Sequence, residues 1–441
     1  MRASLRACAF VLTVLVLLTP GLPVGKAATW QLTDIVDTTD LMPDGASFYF
    51  DLSQAVIEGD TIVFHGYNEV YGGYGGIFTY DGSTVDVVAD TTTLVPGRAD
   101  TFFSFGSPSI SGNNIALSGT FGPLHARKEG LYTSIGGTLS TVVDTETPIP
   151  DGTGNFTRLA CASLHGTDVG FRGMGSDQDG IYTSIGGSLA MVADTDTSLP
   201  GGTGDLDWVW YPSFNGSHVA FRATDYAGPG WTNGIYTNLG GTLHVVADEG
   251  TLMPGNSIYF NNFGWDVSLE GDRVAFTGTT SPLMGDPTGL FIYDDSEGGY
   301  TVIANQDTPI PGGTGNFTGF GIPSLSGENV AFFGTGYDLQ RGIYAFIDGE
   351  LSEVVSTNML LDDFSGYTSM DVGFTTEGLS GTSLVFDVMF LDESDPYAPE
   401  VVGRALYRAD LVTSTVPEPA SMFLVCAGLV SLAGMRRRVT R

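Results

Sequence analysis

Basic residues are scarce in this sequence. It has 17 lysines and arginines against 50 aspartates and glutamates, which gives a formal net charge of −33. Seven of the basic residues lie near the two ends, so the stretch from Ala28 to Val416 is more acidic still. So much negative charge repels nucleic acid and anionic lipid. We expect neither as a partner of the body, and solubility at a crowded surface is the simplest explanation of the charge.

Cysteines and recognisable catalytic motifs are also scarce. Cys8 and Cys426 lie in apolar end segments, which leaves Cys161 alone in the body, so no internal disulfide forms. The five histidines have no metal-ligand spacing. No Gly-x-Ser-x-Gly elbow or phosphate-binding loop occurs. We therefore predict that the protein is not an enzyme.

The N-terminus has the layout of a secretory signal peptide. Arg2 and Arg6 precede an apolar run from Ala9 to Leu18, and small residues follow as far as Ala28. A charged start, an apolar centre and a small-residue end are the three parts of such a signal. We predict a signal peptide over residues 1–28 and export across the inner membrane.

The C-terminus combines a motif, an apolar stretch and a basic cluster. Pro417, Glu418 and Pro419 precede the apolar residues 420–435, and Arg436, Arg437 and Arg438 follow them. The apolar stretch is short for a spanning helix of roughly 20 residues, and the arginines place the C-terminus on the cytoplasmic side. We predict a short transmembrane helix, with an ordinary buried helix as the alternative.

This combination closely resembles the PEP-CTERM sorting signal of exported bacterial proteins. The resemblance covers about 25 residues and concerns the address of the protein, not the activity of its body. It implies two partners, the secretion machinery and an exosortase, which is a membrane cysteine protease that acts at the motif. It also implies a cell-surface or extracellular location, with the C-terminal segment as the only contact with the membrane.

The body consists of seven copies of one repeat, about 50 residues long. A Gly-(Ile/Leu)-(Tyr/Phe) triplet begins at Gly76, Gly130, Gly180, Gly234, Gly289 and Gly342, and a weaker copy ends at Tyr407. A valine-rich run follows, and it ends at Asp90, Asp144, Asp194, Asp248, Asn305 and Ser356. A turn and a Val-Ala-Phe-like element end at Phe64, Leu117, Phe171, Phe221, Phe276, Phe332 and Phe386.

Each repeat predicts four short strands. In the stretch from Gly180 to Phe221, the triplet opens a hairpin that turns at Gly186-Gly187, and the next hairpin turns at Asn215-Gly216. Glycine adopts the positive φ angles that tight hairpin turns need. A single four-stranded sheet cannot bury both faces, whereas seven sheets packed radially can. We therefore predict an all-β fold, a seven-bladed β-propeller of four-stranded blades.

The two ends of the body complement each other. Residues 30–38 match a fourth strand without a third, and Ala405 to Arg408 match a third strand without a fourth. We expect the N-terminal strand to close the last blade and to leave no open edge. An open β-solenoid is the alternative, although it has no need of complementary ends. The domain organisation is then a signal peptide (1–28), a propeller (29–413) and a sorting and anchor segment (414–441).

The repeats resemble those of TolB-like propellers. The resemblance rests on the turn, the Val-Ala-Phe element and the Ile-Tyr of the triplet, and it is loose although it spans every repeat. Those families include scaffolds, binding modules and accessory domains of peptidases. The resemblance therefore implies the fold and little about function.

Acidic residues recur where the fourth strands end, as at Asp144, Asp194 and Asp248. Clustered oxygens bind Ca²⁺ when six to eight of them converge, but no copy has the spacing of a known calcium loop. The simpler interpretation is that each side chain caps the turn that ends the strand. We predict no cofactor, with Ca²⁺ as the alternative.

Three tryptophans break the repeat. Trp210 and Trp265 lie three residues before a serine, where other repeats have Gly106, Ala160 or Gly321, and Trp208 lies two residues earlier on the same face. Because the first strand of a blade lines the channel of a propeller, these rings are candidates for a surface that stacks on sugars. Packing of large side chains into a locally wider gap is the simpler explanation.

Two classes of function remain. The first is a non-catalytic surface or matrix protein that binds polysaccharide or another envelope component through one face of the propeller. The alternative is a secreted hydrolase or lyase that acts on polysaccharide, for which a pair of carboxylates is usually needed. Asp207, beside Trp208, is one candidate acid without an evident partner. A spacer that binds no specific ligand is a third, simpler interpretation.

Overall fold

The computed structural model describes residues 26–68, 73–202, 204–225, 232–280, 288–338, 340–359, 369–393 and 400–415. The chain divides into two compact units, one of which is formed by residues 32–410. The described residues of the other unit are 26–31 and 411–415, and these are the ends of two strands.

The strands group into seven antiparallel sheets, which are the blades of a propeller. The first described strand is β1 (Lys26–Asp37). Blade 1 contains β2 (Asp51–Glu58), β3 (Thr61–Tyr67), β4 (Gly75–Tyr80) and β5 (Val85–Asp90). Blade 2 contains β6 (Phe102–Phe105), β7 (Ser109–Ser111), β8 (Asn114–Phe121), β9 (Lys128–Ile135) and β10 (Thr138–Asp144). Blade 3 contains β11 (Arg158–His165), β12 (Asp168–Met174), β13 (Asp179–Ile185) and β14 (Ser188–Asp194).

The remaining blades follow the same order. Blade 4 contains β15 (Trp208–Val209), β16 (Ser213–Phe214), β17 (Val219–Asp225), β18 (Thr232–Thr237), a short 3₁₀ helix (Leu239–Gly241) and β19 (His244–Asp248). Blade 5 contains β20 (Asn262–Phe263), β21 (Ser268–Glu270), β22 (Arg273–Thr279), β23 (Thr288–Asp294) and β24 (Gly299–Asn305). Blade 6 contains β25 (Gly319–Ser326), β26 (Asn329–Thr335), β27 (Arg341–Ile347) and β28 (Glu350–Ser356). Blade 7 contains β29 (Ser369–Gly373), β30 (Leu379–Ser380), β31 (Ser383–Asp392), β32 (Glu400–Thr415) and β1.

The prediction of a seven-bladed propeller with four-stranded blades is confirmed. Four sheets have five strands only because a bulge divides the innermost strand into two segments that pair with the same neighbour, as β15 and β16 both pair with β17. The stretch from Gly180 to Phe221 contains the outer two strands of blade 3 and, in β15 to β17, the inner half of blade 4. The sequence repeat is therefore offset by half a blade from the structural one.

The predicted closure of the ring is also confirmed. Strand β1 lies at the outer edge of blade 7 beside β32, and within residues 32–410 the Thr38 N–H donates to the carbonyl of Arg404 at 3.0 Å. Val36 and Leu406 from this blade are buried in one cluster with Leu52 and Phe64 of blade 1. The chain's first strand thus fills the edge that its last strand would otherwise expose.

Aromatic residues of the repeat form the core within each blade. In blade 3 the rings of Phe171 and Tyr182 lie 5.7 Å apart between centroids, and Phe156 packs edge-on against Tyr182 at 5.0 Å. Edge-to-face and offset contacts are the arrangements that aromatic rings prefer. The glycine of the triplet is needed beside them, because a Cβ at Gly76 would lie 2.5 Å from the carbonyl oxygen of Ala89 on the next strand.

The recurring aspartates cap turns, as the simpler interpretation holds. Asp194 Oδ1 accepts hydrogen bonds from the Asp196 N–H at 3.2 Å and the Thr197 hydroxyl at 2.8 Å. Asp248 does the same with Gly250 and Thr251 in the next loop. Among the described residues there is no group of three His, Cys, Asp or Glu that could hold a metal ion.

Several predicted segments lie outside the described residues. They are most of the signal peptide, the predicted transmembrane helix, the Pro417–Glu418–Pro419 motif and the arginines Arg436, Arg437 and Arg438. In the described part of the chain no helix has the length and apolar character needed to cross a membrane. The predicted domain boundaries at residues 28 and 413 stay predictions; β1 begins at Lys26 and β32 ends at Thr415.

Candidate functional site

The innermost strands of the seven blades surround a central channel that holds two cavities. The upper cavity, on the side of the loops between blades, has a volume of about 320 Å³ and is lined by residues that include Gln54, Cys161, Tyr211 and Asp266. The lower cavity, beside the turns between first and second strands, has a volume of about 420 Å³ and is lined by residues that include Glu58, His165, Asn215 and Glu270. Ser163, Thr376 and Glu377 line both cavities.

A segment of blade 7, residues 374–378, separates the two cavities. It interrupts the innermost strand, where the seven residues from Gly373 to Leu379 lie opposite only four on β31. Thr375 donates its hydroxyl to the carbonyl of Ala55 in blade 1 at 2.8 Å. The Thr376 carbonyl accepts from the Ser268 hydroxyl of blade 5 at 3.4 Å. The segment thus reaches from blade 7 across the channel.

A ladder of serines joins the innermost strands around this channel. In five consecutive pairs of blades a serine hydroxyl accepts a backbone N–H of the next blade at 2.8–3.1 Å. The pairs are Ser109 with Leu164, Ser163 with Phe214, Ser213 with Leu269, Ser268 with Leu325 and Ser324 with Leu379. Each bond satisfies an innermost N–H that has no further strand to pair with.

Glu377 completes the ladder where two blades lack the serine. Gly378 of blade 7 and Val56 of blade 1 occupy the serine position. The carbonyl of Glu377 accepts from the Ile57 N–H of blade 1 at 3.0 Å, and its carboxyl Oε2 accepts from the Ile110 N–H of blade 2 at 3.1 Å. Oε1 accepts from the hydroxyls of Ser109 at 2.8 Å and Ser163 at 3.4 Å. One residue therefore links blade 7 to blades 1, 2 and 3.

Three titratable groups in the channel have raised pKa values. Burial raises the pKa of Glu377 to about 7 despite its hydrogen bonds, and burial also raises the pKa of Asp266. The pKa of the Cys161 thiol rises to about 12 because of burial and the negative charge of Asp266. Cys161 also has a φ of +49° at a bulge. A thiol with so high a pKa is a poor nucleophile, because only the thiolate reacts.

Trp210 and Trp265 meet at the junction of blades 4 and 5. Their ring centroids are 5.4 Å apart at an interplanar angle of 60°. The Arg222 guanidinium carbon lies 4.7 Å from the centroid of each ring, and Arg222 donates to the Asn262 side chain at 3.1 Å. Cation–π contacts with a buried arginine hold both rings in place.

Two of the three tryptophans are exposed. Trp208 is 50% exposed and Trp265 is 59% exposed, while Trp210 is partly buried. Tyr211, which follows Trp210 and lines the upper cavity, is 41% exposed. Tyr211 lines this cavity, and Trp210 and Trp265 directly precede two of its lining residues, Tyr211 and Asp266. We call Trp210, Tyr211 and Trp265 the aromatic mouth.

The predicted equivalence of Trp210 and Trp265 is wrong in one respect. Trp210 lies opposite Arg222, and Gly264, not Trp265, occupies the corresponding place opposite Thr277. From Gly264 to Ser268 the strand has five residues opposite three on β22, whereas Trp210 to Ser213 has four opposite three. The additional bulge residue in blade 5 moves Trp265 out of the strand position.

The structure adds residues that the sequence analysis missed. Asp266 and Tyr211 each follow a tryptophan and line the channel. Glu377 lies directly before the serine position, where all six other blades have Pro, Ala or Val in the sequence. Aligning the repeats on this serine would have revealed that exception. The sequence does not indicate the role of Arg222, because blade 3 has an arginine, Arg172, at the equivalent position.

Comparisons with known proteins give two family matches. A model of a family of unknown function, DUF7453, matches residues 161–359, and a model of the PEP-CTERM protein-sorting motif matches residues 415–438. No curated protein matches the chain. The predicted PEP-CTERM signal is thus confirmed, and it implies an exported protein, with membrane-associated sorting and processing by an exosortase.

The chain is also similar to solved propeller structures. It has 11% identity and a TM-score of 0.49 to the β-propeller domain of the Trilobed protease from Pyrococcus furiosus, over 83% of this chain and 95% of that one. The chain has 14% identity and a TM-score of 0.35 to TolB from Acinetobacter baumannii, over 68% of this chain and 62% of TolB. The match therefore covers less than two thirds of TolB. It has 10% identity and a TM-score of 0.45 to polysaccharide lyase Uly1, over 81% of this chain and 89% of that one. Similarity this low carries no argument about function, and the propeller assignment rests on the sheet topology.

Proposed function

We propose that this chain is a non-catalytic surface or matrix protein that binds polysaccharide through the aromatic mouth of its upper cavity. The observation that carries the proposal is that the exposed Tyr211 lines the upper cavity and that the exposed Trp265 directly precedes Asp266, another residue of that lining. Aromatic rings offer large apolar area to the C–H faces of sugars at little cost in conformational entropy. The sorting motif supports a location outside the inner membrane, at the cell surface or beyond it.

The rigidity of the tryptophan rings supports a role in ligand binding. Trp210 is fixed by Trp265 and by the guanidinium of Arg222. A ring that is already immobile loses little entropy when a ligand stacks on it, so more of the contact energy appears as affinity. The negative charge of the chain favours an uncharged polymer over an anionic one.

A hydrolase or lyase acting on polysaccharide is the second candidate, since two carboxyl groups, Asp266 and Glu377, line the upper cavity. Glycoside hydrolysis usually requires two free carboxyl groups. The Glu377 carboxyl group already accepts hydrogen bonds from Ser109, Ile110 and Ser163. These hydrogen bonds support a structural role for Glu377 in holding the ring of blades together. Asp266 is then left without an obvious catalytic partner.

A glycan array tests the binding proposal. We expect the purified protein to bind a neutral polysaccharide and Trp265→Ala to weaken that binding at least tenfold, because the most exposed of the stacking rings is then gone. Tyr337→Ala is the matched control, since Tyr337 is 65% exposed on blade 6 and belongs neither to the cavity lining nor to the cluster around Arg222. Equal losses in both variants, or no binding by the unmodified protein, would contradict the proposal. Release of reducing sugar that Asp266→Asn abolishes would instead support the enzyme.

A further inference from the structure

The segment that crosses the channel determines how a polymer can enter it. Residues 374–378 separate the upper cavity from the lower one, and Thr376 and Glu377 line both. Hydrogen bonds hold this segment to blade 1 through Ala55 and Ile57 and to blade 2 through Ile110. A chain that enters from the aromatic mouth therefore meets a floor and cannot pass through the ring.

The upper cavity has the size and lining of a small-ligand site. Its volume of about 320 Å³ falls in the range of roughly 300–1,000 Å³ that is typical of such sites. Gln54 and Asp266 offer an amide and a carboxyl group to ligand hydroxyls, and Tyr211 adds a ring and a hydroxyl. None of the described residues that line it is basic, so the cavity offers no charge complement to an acidic sugar.

The aromatic mouth and the cavity are continuous along the chain. Tyr211 follows Trp210, and Asp266 follows Trp265, on the innermost strands of neighbouring blades. In each pair the tryptophan belongs to the cluster around Arg222 and the next residue lines the cavity. A sugar stacked at the mouth and one held inside the cavity would therefore be neighbours in one bound chain.

We propose that the upper cavity is a blind subsite for the terminal residue of a neutral polysaccharide, so that this protein recognises chain ends. This inference rests on the proposed function and specifies its ligand. Internal segments of a polymer would contact only the tryptophans at the mouth, whereas an end would also fill the cavity above Glu377.

Fragmentation of the polymer tests end recognition. The probes are amylose, xylan, mannan and β-1,3-glucan, each offered as competitor intact and after partial acid hydrolysis that shortens the chains about tenfold. For the polymer that binds, we expect the fragmented form to compete about tenfold better at equal mass, because hydrolysis multiplies ends and leaves the internal residues unchanged. Equal competition by intact and fragmented polymer would overturn the proposal.

Variants that fill or strip the cavity separate this inference from the proposed function. Ser107→Phe fills the upper cavity and Asp266→Ala removes a ligand partner, so both should abolish the advantage of fragments. His165→Phe in the lower cavity is the control and should keep it. If Trp265→Ala alone abolishes binding while Ser107→Phe and Asp266→Ala bind normally, polysaccharide binding stands and end recognition fails. If none of the neutral probes binds, both proposals fail.

Discussion

Single polar residues fix the geometry of the repeat at points where strands end. The Asp194 side chain is almost fully buried, and it accepts from a backbone N–H and a threonine hydroxyl two and three residues later. Gln178 also donates to it. Because the carboxylate replaces the partners that the strand no longer supplies, it defines where the fourth strand ends and the loop begins.

Asp194→Ala should lower the free energy of unfolding by about 1–2 kcal/mol, because two local donors and Gln178 lose their acceptor inside the structure. Asp196→Ala, two residues along the same loop, removes an exposed carboxylate and should change stability by no more than about 0.5 kcal/mol. Chemical denaturation of the two variants beside the unmodified protein measures the difference. Similar values for both would show that the cap contributes nothing.

Glu377 illustrates how one residue substitutes for a broken repeat. Five serines satisfy the innermost N–H groups around the ring, and Glu377 serves the two junctions where Val56 and Gly378 replace serine. The backbone carbonyl of Glu377 reaches blade 1, and its side chain, which is longer than that of serine, reaches blade 2. A serine at position 378 could not serve both blades. The departure from the repeat at this point therefore serves the closure of the ring.

At the scale of strands, closure depends on β1. It covers the outer edge of β32 in blade 7, and Val36 packs into the cluster shared by blades 7 and 1. Hydrogen bonds and apolar packing therefore both depend on the same N-terminal strand. An uncovered edge of this kind pairs readily with other chains.

A chain that begins at residue 39 should be less stable and prone to associate, because it exposes the edge of β32. The control begins at Ala28 and keeps residues 28–37 of β1. We expect the shorter chain to elute as oligomers or aggregates in size-exclusion chromatography and to be cleaved faster by protease, whereas the control stays monomeric. A monomeric shorter chain with an unchanged melting temperature would show that β1 is dispensable.

For the molecule as a whole, pH changes stability through acids that folding removes from water. Burial raises the pKa of Glu377 to about 7 and that of Asp387 in blade 7 to about 7. Since the folded state holds these protons more tightly than the unfolded chain, their stabilising contribution is complete below the ordinary pKa values of 4.5 for Glu377 and 3.8 for Asp387, and it is lost as the pH rises through 7. Asp81 and Glu146, whose pKa values lie near 2, titrate below this interval.

Glu377→Gln should therefore reduce the loss of stability between pH 5 and pH 8. A shift from 4.5 to about 7 corresponds to at most about 3 kcal/mol, while glutamine keeps an acceptor for the Ile110 N–H and an amide group that can pair with Ser109. Melting temperatures across this range provide the measurement. Glu350→Gln, an exposed site on blade 6, should keep the full pH dependence. If Glu377→Gln keeps it as well, the proton does not reside on Glu377.

The sequence alone determined the fold because the repeat is local. The glycine triplet, the turn glycines and the capping aspartates act within one or two strands, so seven copies predict seven blades, and the unmatched strands at the two ends predict the closure. The sorting motif is likewise contiguous. Only the tertiary structure revealed the floor of the channel and the position of Trp265, because both depend on bulges whose extra residues cannot be assigned without the partner strand. Arg222 of blade 4 meets Trp265 of blade 5 only when these two blades pack together. Glu377 of blade 7 meets residues of blades 2 and 3 only after the ring has closed.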